Sequence, residues 1–287
     1  MTTVAFYRDR FVDIQEDVLP IEDRGHQFGD GIYEVIRVYS GVPFTLEEHL
    51  ERLERSAEAI RMPLPYSIDD IRSRALQAYE DTGLEEAEIY LQITRGAWTR
   101  QHHFPEPAAP VLSMVAGPAR EVSSTLRASG VKVITTEDIR WKRCWIKSLN
   151  LLPNVMAKQE AKDHGAHEAV FVDGDAVTEG SSTNIFRVKD GVLETHPATE
   201  RILHGITRRM VLQAAEQIGL PCRELPFTKQ ELLESDEAFL TSTTMEVLGI
   251  DQIDETALPA ARPITEKLFQ QFQQIKHETR TQEGSTE

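Results

Sequence analysis

A chain of 287 residues with a net charge of -16, 40% hydrophobic and 27% charged, has room for one large or two ordinary domains around a substantial core. The acidic surplus argues against nucleic acid or an anionic membrane as a partner, and no stretch resembles a membrane span or a signal-peptide h-region. Cys144 and Cys222 cannot build a disulfide framework and lack metal-ligand companions at useful spacing, so no metal is expected and a reducing cytoplasm suits them.

Val4–Tyr7 and residues 17–21 predict short strands, ahead of a turn-rich run from Asp23 to Gly31. Residues 32–39 alternate with period two, and Ser40-Gly41 turns the chain back. Thr45 stands where it can cap a helix to about Ile60, with Leu46, Leu50, Leu53, Ala57 and Ile60 as its apolar stripe and Glu48 at the capping-box position. A second helix is predicted over residues 68–81, with Gly83 after it. Strands over 88–95 and 110–115 flank a polar loop from Gly96 to Pro107. Gly117-Pro118-Ala119-Arg120 with Ser123-Ser124-Thr125 reads as a connector, which puts a domain boundary near residues 117–126.

Beyond the connector, residues 154–164 predict a helix stopped by Gly165. Asp173-Gly174 and Asp190-Gly191 punctuate strands over 169–172, 176–178 and 184–188. A helix is expected over 207–218, a strand over 237–241 and a last helix from Pro263, with residues 279–287 frayed.

Lys147 lies in Arg143-Cys144-Trp145-Ile146-Lys147-Ser148-Leu149-Asn150, a largely apolar run where an unpaired ammonium is costly. Burial lowers the pKa of lysines, which is how proteins make amine nucleophiles. Downstream come Glu179 in Thr178-Glu179-Gly180-Ser181-Ser182, then Gly205-Ile206-Thr207 opening a helix, then Thr241-Ser242-Thr243-Thr244. An amine, an acid and two phosphate-sized donor clusters are what pyridoxal 5'-phosphate requires. Each has a plainer reading: a snorkelling lysine, a carboxylate in a turn, an ordinary helix cap, a solvated turn. Their joint occurrence points to the cofactor. Arg52, near His49 and Ser56 at the border of the first helix's stripe, either adds charge to a phosphate site or pairs with Glu48 on a solvated face.

Ile146-Lys147-Ser148-Leu149-Asn150-Leu151-Leu152-Pro153-Asn154-Val155-Met156-Ala157-Lys158 and Val177-Thr178-Glu179-Gly180-Ser181-Ser182-Thr183-Asn184 strongly resemble motifs of the fold-type IV pyridoxal-phosphate enzymes. The resemblance runs from about Tyr7 to about Ile253. Asp23-Arg24-Gly25-His26-Gln27-Phe28-Gly29-Asp30-Gly31-Ile32-Tyr33-Glu34 is shared broadly in that family. Arg95-Gly96 with Arg100-Gln101-His102-His103-Phe104-Pro105 resembles its D-amino acid aminotransferase branch.

The resemblance implies an α+β or α/β chain in two domains with the active site between them. A small N-terminal α/β domain (residues 1–118) and a linker (119–126) would precede a larger C-terminal pseudo-barrel domain (127–287). It implies Lys147 at the Schiff base, Glu179 at the pyridine nitrogen, and Arg52, Ile206, Thr207, Ser242 and Thr243 at the phosphate. Ser182 and Leu203 would line the cofactor. Tyr33, Arg100 and His102 would trap the substrate carboxylate, the loop serving the neighbouring subunit of a homodimer. His49, Ser181 and Thr244 take no role from it. Trp98 stands where smaller or polar residues are usual, and is expected to narrow the substrate pocket. The implied activity is ping-pong transamination between a D-amino acid, D-alanine or D-glutamate, and a 2-oxo acid. A lyase of the aminodeoxychorismate type and an L-branched-chain aminotransferase are the alternatives.

Overall fold

The computed structural model describes residues 3–283, in two compact units. The first takes the chain up to Arg120 and then Ile146–Leu151; the second takes Glu121–Trp145 and everything from Leu152 onward.

The first unit contains β1 (Val4–Tyr7), β2 (Arg10–Val12), α1 (Arg24–Phe28), β3 (Gly31–Tyr39), β4 (Val42–Pro43), α2 (Leu46–Ala59), α3 (Ile68–Glu80), β5 (Ala87–Thr94) and β6 (Val111–Pro118). Its strands form a six-stranded sheet in the order β2-β1-β6-β5-β3-β4, with every pairing antiparallel. The period-two pattern puts Ile32, Ile36 and Val38 of β3 on one face with Ile89, Leu91 and Ile93 of β5, all at 0% exposure. Against them α2 and α3 apply Leu50, Leu53, Ala57, Ile71, Ala75 and Ala78. Each such Leu or Ile contributes about 1.5–3 kcal/mol over leaving it in water.

Three local expectations change here. Residues 17–21 form no strand: Pro20 offers no N–H to a ladder, and Leu19 and Ile21 remain exposed. The turn-rich run after them contains α1, capped by Asp23, whose side chain accepts from Gly25 N at 2.8 Å, and ended by left-handed Gly29. Thr45 does not cap α2. It sits at φ 54° and its hydroxyl donates to Phe44 O at 2.7 Å, so the capping box with Glu48 does not form.

The second unit contains α4 (Ser124–Ser129), β7 (Val131–Glu137), α5 (Leu152–Asp163), β8 (Glu168–Asp173), β9 (Ala176–Gly180), β10 (Asn184–Lys189), β11 (Val192–Thr195), α6 (Ile206–Gln217), β12 (Cys222–Glu224), α7 (Lys229–Leu233), β13 (Glu237–Ser242), β14 (Glu246–Ile253), β15 (Thr256–Ala257) and α8 (Pro263–Glu283). The sheet order is β12-β11-β10-β13-β14-β7-β8-β9, with β15 on β14. The β14–β7, β7–β8 and β11–β12 pairings are parallel and the rest antiparallel. β9 and β10 stand five places apart in that order yet are joined only by residues 181–183. Five strand spacings are about 24 Å, beyond the roughly 14 Å that such a short link spans. The sheet therefore curls on itself, and Val177, Ile185, Val131, Leu240 and Ile250 share one core.

The connector and the tail also differ from expectation. Ser123 caps α4 through Leu126 N at 3.2 Å, so the stretch drawn as a linker ends in a helix. The helix from Pro263 continues to Glu283 instead of fraying at Thr279, because glutamines, glutamates and an arginine sustain a helix and no glycine intervenes before Gly284. The remainder of that expected tail lies outside the described residues. Ile146–Leu151 does not stay with the second unit as a boundary at 126 requires. Tyr33 N donates to Lys147 O at 3.0 Å, Leu149 N donates to Gly31 O at 2.9 Å, and Ile32 bridges Ser148.

Candidate active site

Those same bonds seat Lys147 in the first unit. It is half-buried between buried Ile146 and Ser148, less enclosed than its apolar run suggests. Its N–H donates to Ser56 Oγ at 3.3 Å, and Nζ stands 4.1 Å from the centre of the Tyr33 ring. Tyr33 and Glu34 are successive strand residues and so point to opposite faces. Glu34, at 0% exposure, accepts from Arg52 Nε and Nη2 at 2.7 Å each and pairs with His49 Nδ1 at 2.7 Å. Burial favours the neutral carboxyl, but Arg52 and His49 outweigh it and hold Glu34 at about 2. Burial keeps His49 below its ordinary range, helped by the charges of Arg52 and Lys147. The neutral ring then donates from Nδ1 to Glu34. Arg52 thus faces a buried carboxylate on β3 where the plainer sequence reading paired it with Glu48.

Arg100 and His102 lie on an exposed loop of the same unit. Both meet Phe28: the Arg100 guanidinium carbon is 4.9 Å from its ring centre, and the His102 ring is edge-on at 5.6 Å. Trp98 is 37% exposed, and its backbone N–H donates to Glu22 O at 3.2 Å.

In the second unit, Glu179 at the end of β9 is 4% exposed and surrounded by donors. Arg140 Nη1 reaches Oε1 at 2.6 Å, Asn184 Nδ2 reaches Oε2 at 2.9 Å, and Leu203 N lies 3.0 Å from both oxygens. Burial nonetheless prevails and lifts Glu179 to about 7, against Arg140 and the Leu203 N–H. Arg140 also grips Asp138 through Nε at 2.9 Å and Nη2 at 2.8 Å, and stacks 4.3 Å from the Phe171 ring centre. Burial raises Asp138, but Arg140 and the Thr178 hydroxyl together outweigh it, so that carboxyl lies below its usual range.

Asn184 Nδ2 also donates to Leu203 O at 2.9 Å, which ties Glu179 to the entrance of α6. There the cap is Gly205, which offers no side chain to the first helical N–H groups, and Ile206 and Thr207 follow, both buried. A Cβ on Gly205 would lie 2.0 Å from Asn184 Oδ1, so any side chain there would displace the Asn184 amide. Asn184 is paired in register with Thr241 of β13, Ser242 ends that strand, and Thr243 and Thr244 lie in the turn after it, all three half-buried. Ser242 Oγ accepts from Met245 N at 3.1 Å. Ser182 Oγ donates to fully buried Glu168 at 2.7 Å, and Ser181 Oγ donates to the same carboxylate. Among the described residues, no group of three or more His, Cys, Asp or Glu is arranged to hold a metal ion, and no helix is long and apolar enough to cross a membrane.

A sequence model of the amino-transferase class IV family matches residues 31–253, more than two thirds of the chain. The chain belongs to the class IV aminotransferases. A D-alanine aminotransferase of Bacillus licheniformis is 42% identical over 259 residues, covering 90% of this chain and 91% of that one. Another, from Staphylococcus epidermidis, is 44% identical over 252 residues, covering 88% and 89%. Among solved structures, a T.th. branched-chain amino acid aminotransferase with pyridoxamine 5'-phosphate matches at a TM-score of 0.87 and 25% identity, covering 94% of this chain and 92% of its own.

Class IV aminotransferases depend on pyridoxal 5'-phosphate, and the residues present in this one fit it. Glu179 is a buried carboxylate in a ring of donors, Gly205 leaves the start of α6 clear of a capping side chain, and Lys147 is a half-buried amine. Arg140, Asp138 and Asn184 around Glu179, and Glu34 against Arg52, are contacts that the sequence reading did not single out. Glu34 had a signal: it falls on the same face of an alternating strand as Ile32 and Ile36, a core position for a charge.

Proposed function

We propose that this class IV aminotransferase exchanges the amino group of a D-amino acid, D-alanine or D-glutamate, with a 2-oxo acid. The observation that supports this substrate assignment is that Arg100 and His102 both contact the Phe28 ring, in a chain whose 42–44% identical relatives are D-alanine aminotransferases. A guanidinium and an imidazole make a cationic patch for an α-carboxylate in a protein of net charge -16. Tyr33, against Lys147, would border the same substrate group.

When bound, pyridoxal phosphate supplies an aldehyde that condenses with amines and a protonated ring that accepts the electron pair left by a departing Cα proton. Lys147 would hold the aldehyde carbon and, once the substrate amine replaces it, would carry the proton leaving Cα. Glu179, kept in place by Arg140 and Asn184, would hold a proton on the ring nitrogen. Ile206 and Thr207, with Ser242, Thr243 and Arg52, would hold the phosphate, and Ser182 and Leu203 would border the ring. Two half-reactions sharing these residues give ping-pong kinetics. In the proposed assembly, a homodimer in the cytoplasm, the Arg100–His102 loop serves the neighbouring subunit.

The test is the absorbance spectrum of the holoenzyme after adding D-alanine or L-alanine, with pyruvate measured with and without 2-oxoglutarate. Conversion by the D enantiomer alone, with sustained pyruvate formation only when the oxo acid is present, is expected. Conversion by L-amino acids would overturn the handedness, and sustained pyruvate release without an acceptor would indicate a lyase.

A further inference from the structure

The loop bearing Arg100 and His102 is exposed, yet its backbone is held from beneath by buried charge. Helix α1 spaces Arg24 and Phe28 four residues apart, so both lie on one face. Arg24, 3% exposed, donates from Nη1 to Gln101 O at 2.6 Å and from Nη2 to His102 O at 3.4 Å. Its Nε donates to Asp30 at 2.8 Å, and its guanidinium carbon lies 4.9 Å from the Phe28 ring centre. Asp30 also accepts from Nε of Arg95, which is 1% exposed and stacks 3.8 Å from the Phe104 ring centre. One carboxylate therefore serves two buried guanidiniums. Each guanidinium secures one part of the loop, Arg24 at residues 101–102 and Arg95 at Phe104.

Asp30 pairs with both guanidiniums, so the loop bearing Arg100 and His102 rests on buried, mutually paired charge and not on a solvated surface. Charge-assisted bonds to two successive loop carbonyls also remove backbone freedom that a ligand would otherwise have to freeze out. Phe28 does the same for the side chains, offering its ring to Arg100 and His102 together.

We propose that Arg24 and Phe28 are positioning residues for substrate-carboxylate recognition, holding the Arg100–His102 stretch in a preformed arrangement. The proposal rests on the reading of Arg100 and His102 as the carboxylate trap. Neither Arg24 nor Phe28 need touch the substrate.

The experiment uses the holoenzyme and the variants Arg24→Gln, Phe28→Leu, Phe28→Tyr and Arg100→Ala. Loss of a charge-assisted contact predicts a KM for D-alanine raised about tenfold in Arg24→Gln and Phe28→Leu, with kcat within about twofold. Phe28→Tyr, which keeps the ring, should retain the parent KM. The dissociation constant of propionate, a carboxylate without an amine, should rise by the same factor in calorimetry. An unchanged KM in both variants, or a fall in kcat with KM unchanged, overturns the proposal. If Arg24→Gln does not fold, the Leu and Tyr pair at Phe28 decides. Arg100→Ala separates the two levels: if it leaves KM unchanged, the carboxylate trap itself is wrong. If it raises KM while Arg24→Gln and Phe28→Leu do not, only the platform is overturned.

Discussion

Arg140 holds Glu179 with one arm and Asp138 with the other, so a single guanidinium is shared between two buried carboxylates. Removing it leaves both without their strongest partner. Arg140→Ala should cost about 3–5 kcal/mol of stability, the usual consequence of orphaning a buried charge. It should also weaken cofactor binding at pH 7.5, because Glu179 loses the cation that favours its ionised form. Urea unfolding and equilibrium dialysis of the cofactor check the two parts separately.

The pH dependence of cofactor binding follows from Glu179, which burial raises to about 7. A carboxyl whose folded pKa exceeds its unfolded value favours the protonated form. Without cofactor, this group therefore destabilises the fold above about pH 7 and ceases to do so as pH falls toward its ordinary range. Pairing with a protonated pyridine nitrogen requires the ionised carboxylate, so cofactor affinity should fall as pH drops through about 7. Glu179→Gln should bind weakly at every pH and lose that step, as fluorescence titration across pH 5.5–8.5 would show.

Lys147→Ala should lower turnover by about a thousandfold or more, because it removes both the covalent anchor and the proton carrier. Its backbone bonds to Tyr33 and Ser56 survive the change, so the circular dichroism spectrum and melting temperature should stay close to the parent's. Near-normal turnover would remove the lysine from the mechanism.

Gly205→Ala is a small change with a defined victim. Its Cβ would fall 2.0 Å from Asn184 Oδ1, pushing aside the amide that bonds Glu179 and Leu203 O. Overpacking of this kind costs about 1–3 kcal/mol. The expected signature is a lower melting temperature together with faster cofactor loss on dilution.

Glu34 gives the first unit an acid limit. Arg52 and His49 hold it at about 2 against the opposing effect of burial, so its contribution is complete above its ordinary range near 4.5 and is lost as pH falls toward 2. Glu34→Gln should reduce stability at neutral pH by a few kcal/mol, as expected when a buried ion pair loses one partner. It should also flatten the loss between pH 4.5 and 2, measured by urea midpoints at each pH.

The residues that sequence pattern made legible are those whose chemistry is local. Lys147 stands out as a cation in an apolar run, and Gly205-Ile206-Thr207 reads as a helix start from three consecutive letters. Period two located β3 and β5 to within a residue or two. Arg140 was invisible because its partner Glu179 lies 39 residues on and meets it only once β7, β8 and β9 are laid side by side in the sheet. Thr45 misled for the opposite reason: the composition of a capping box was present, but the left-handed backbone turned the hydroxyl toward Phe44 O. The affiliation of Ile146–Leu151 depends on main-chain bonds to Gly31 and Tyr33, which no side-chain pattern encodes.

That excursion of six residues makes the chain non-modular at the level of its gene. Cutting after Arg120 yields a first half without the amine and without the backbone partners of Gly31 and Tyr33, and a second half burdened with a segment that packs elsewhere. Recombination that exchanged the first 120 codons between two such genes would put one parent's lysine segment against the other parent's β3. Functional chimeras should therefore arise only when the codons for residues 146–151 travel with the amino-terminal part, or when both parents present the same main-chain register there.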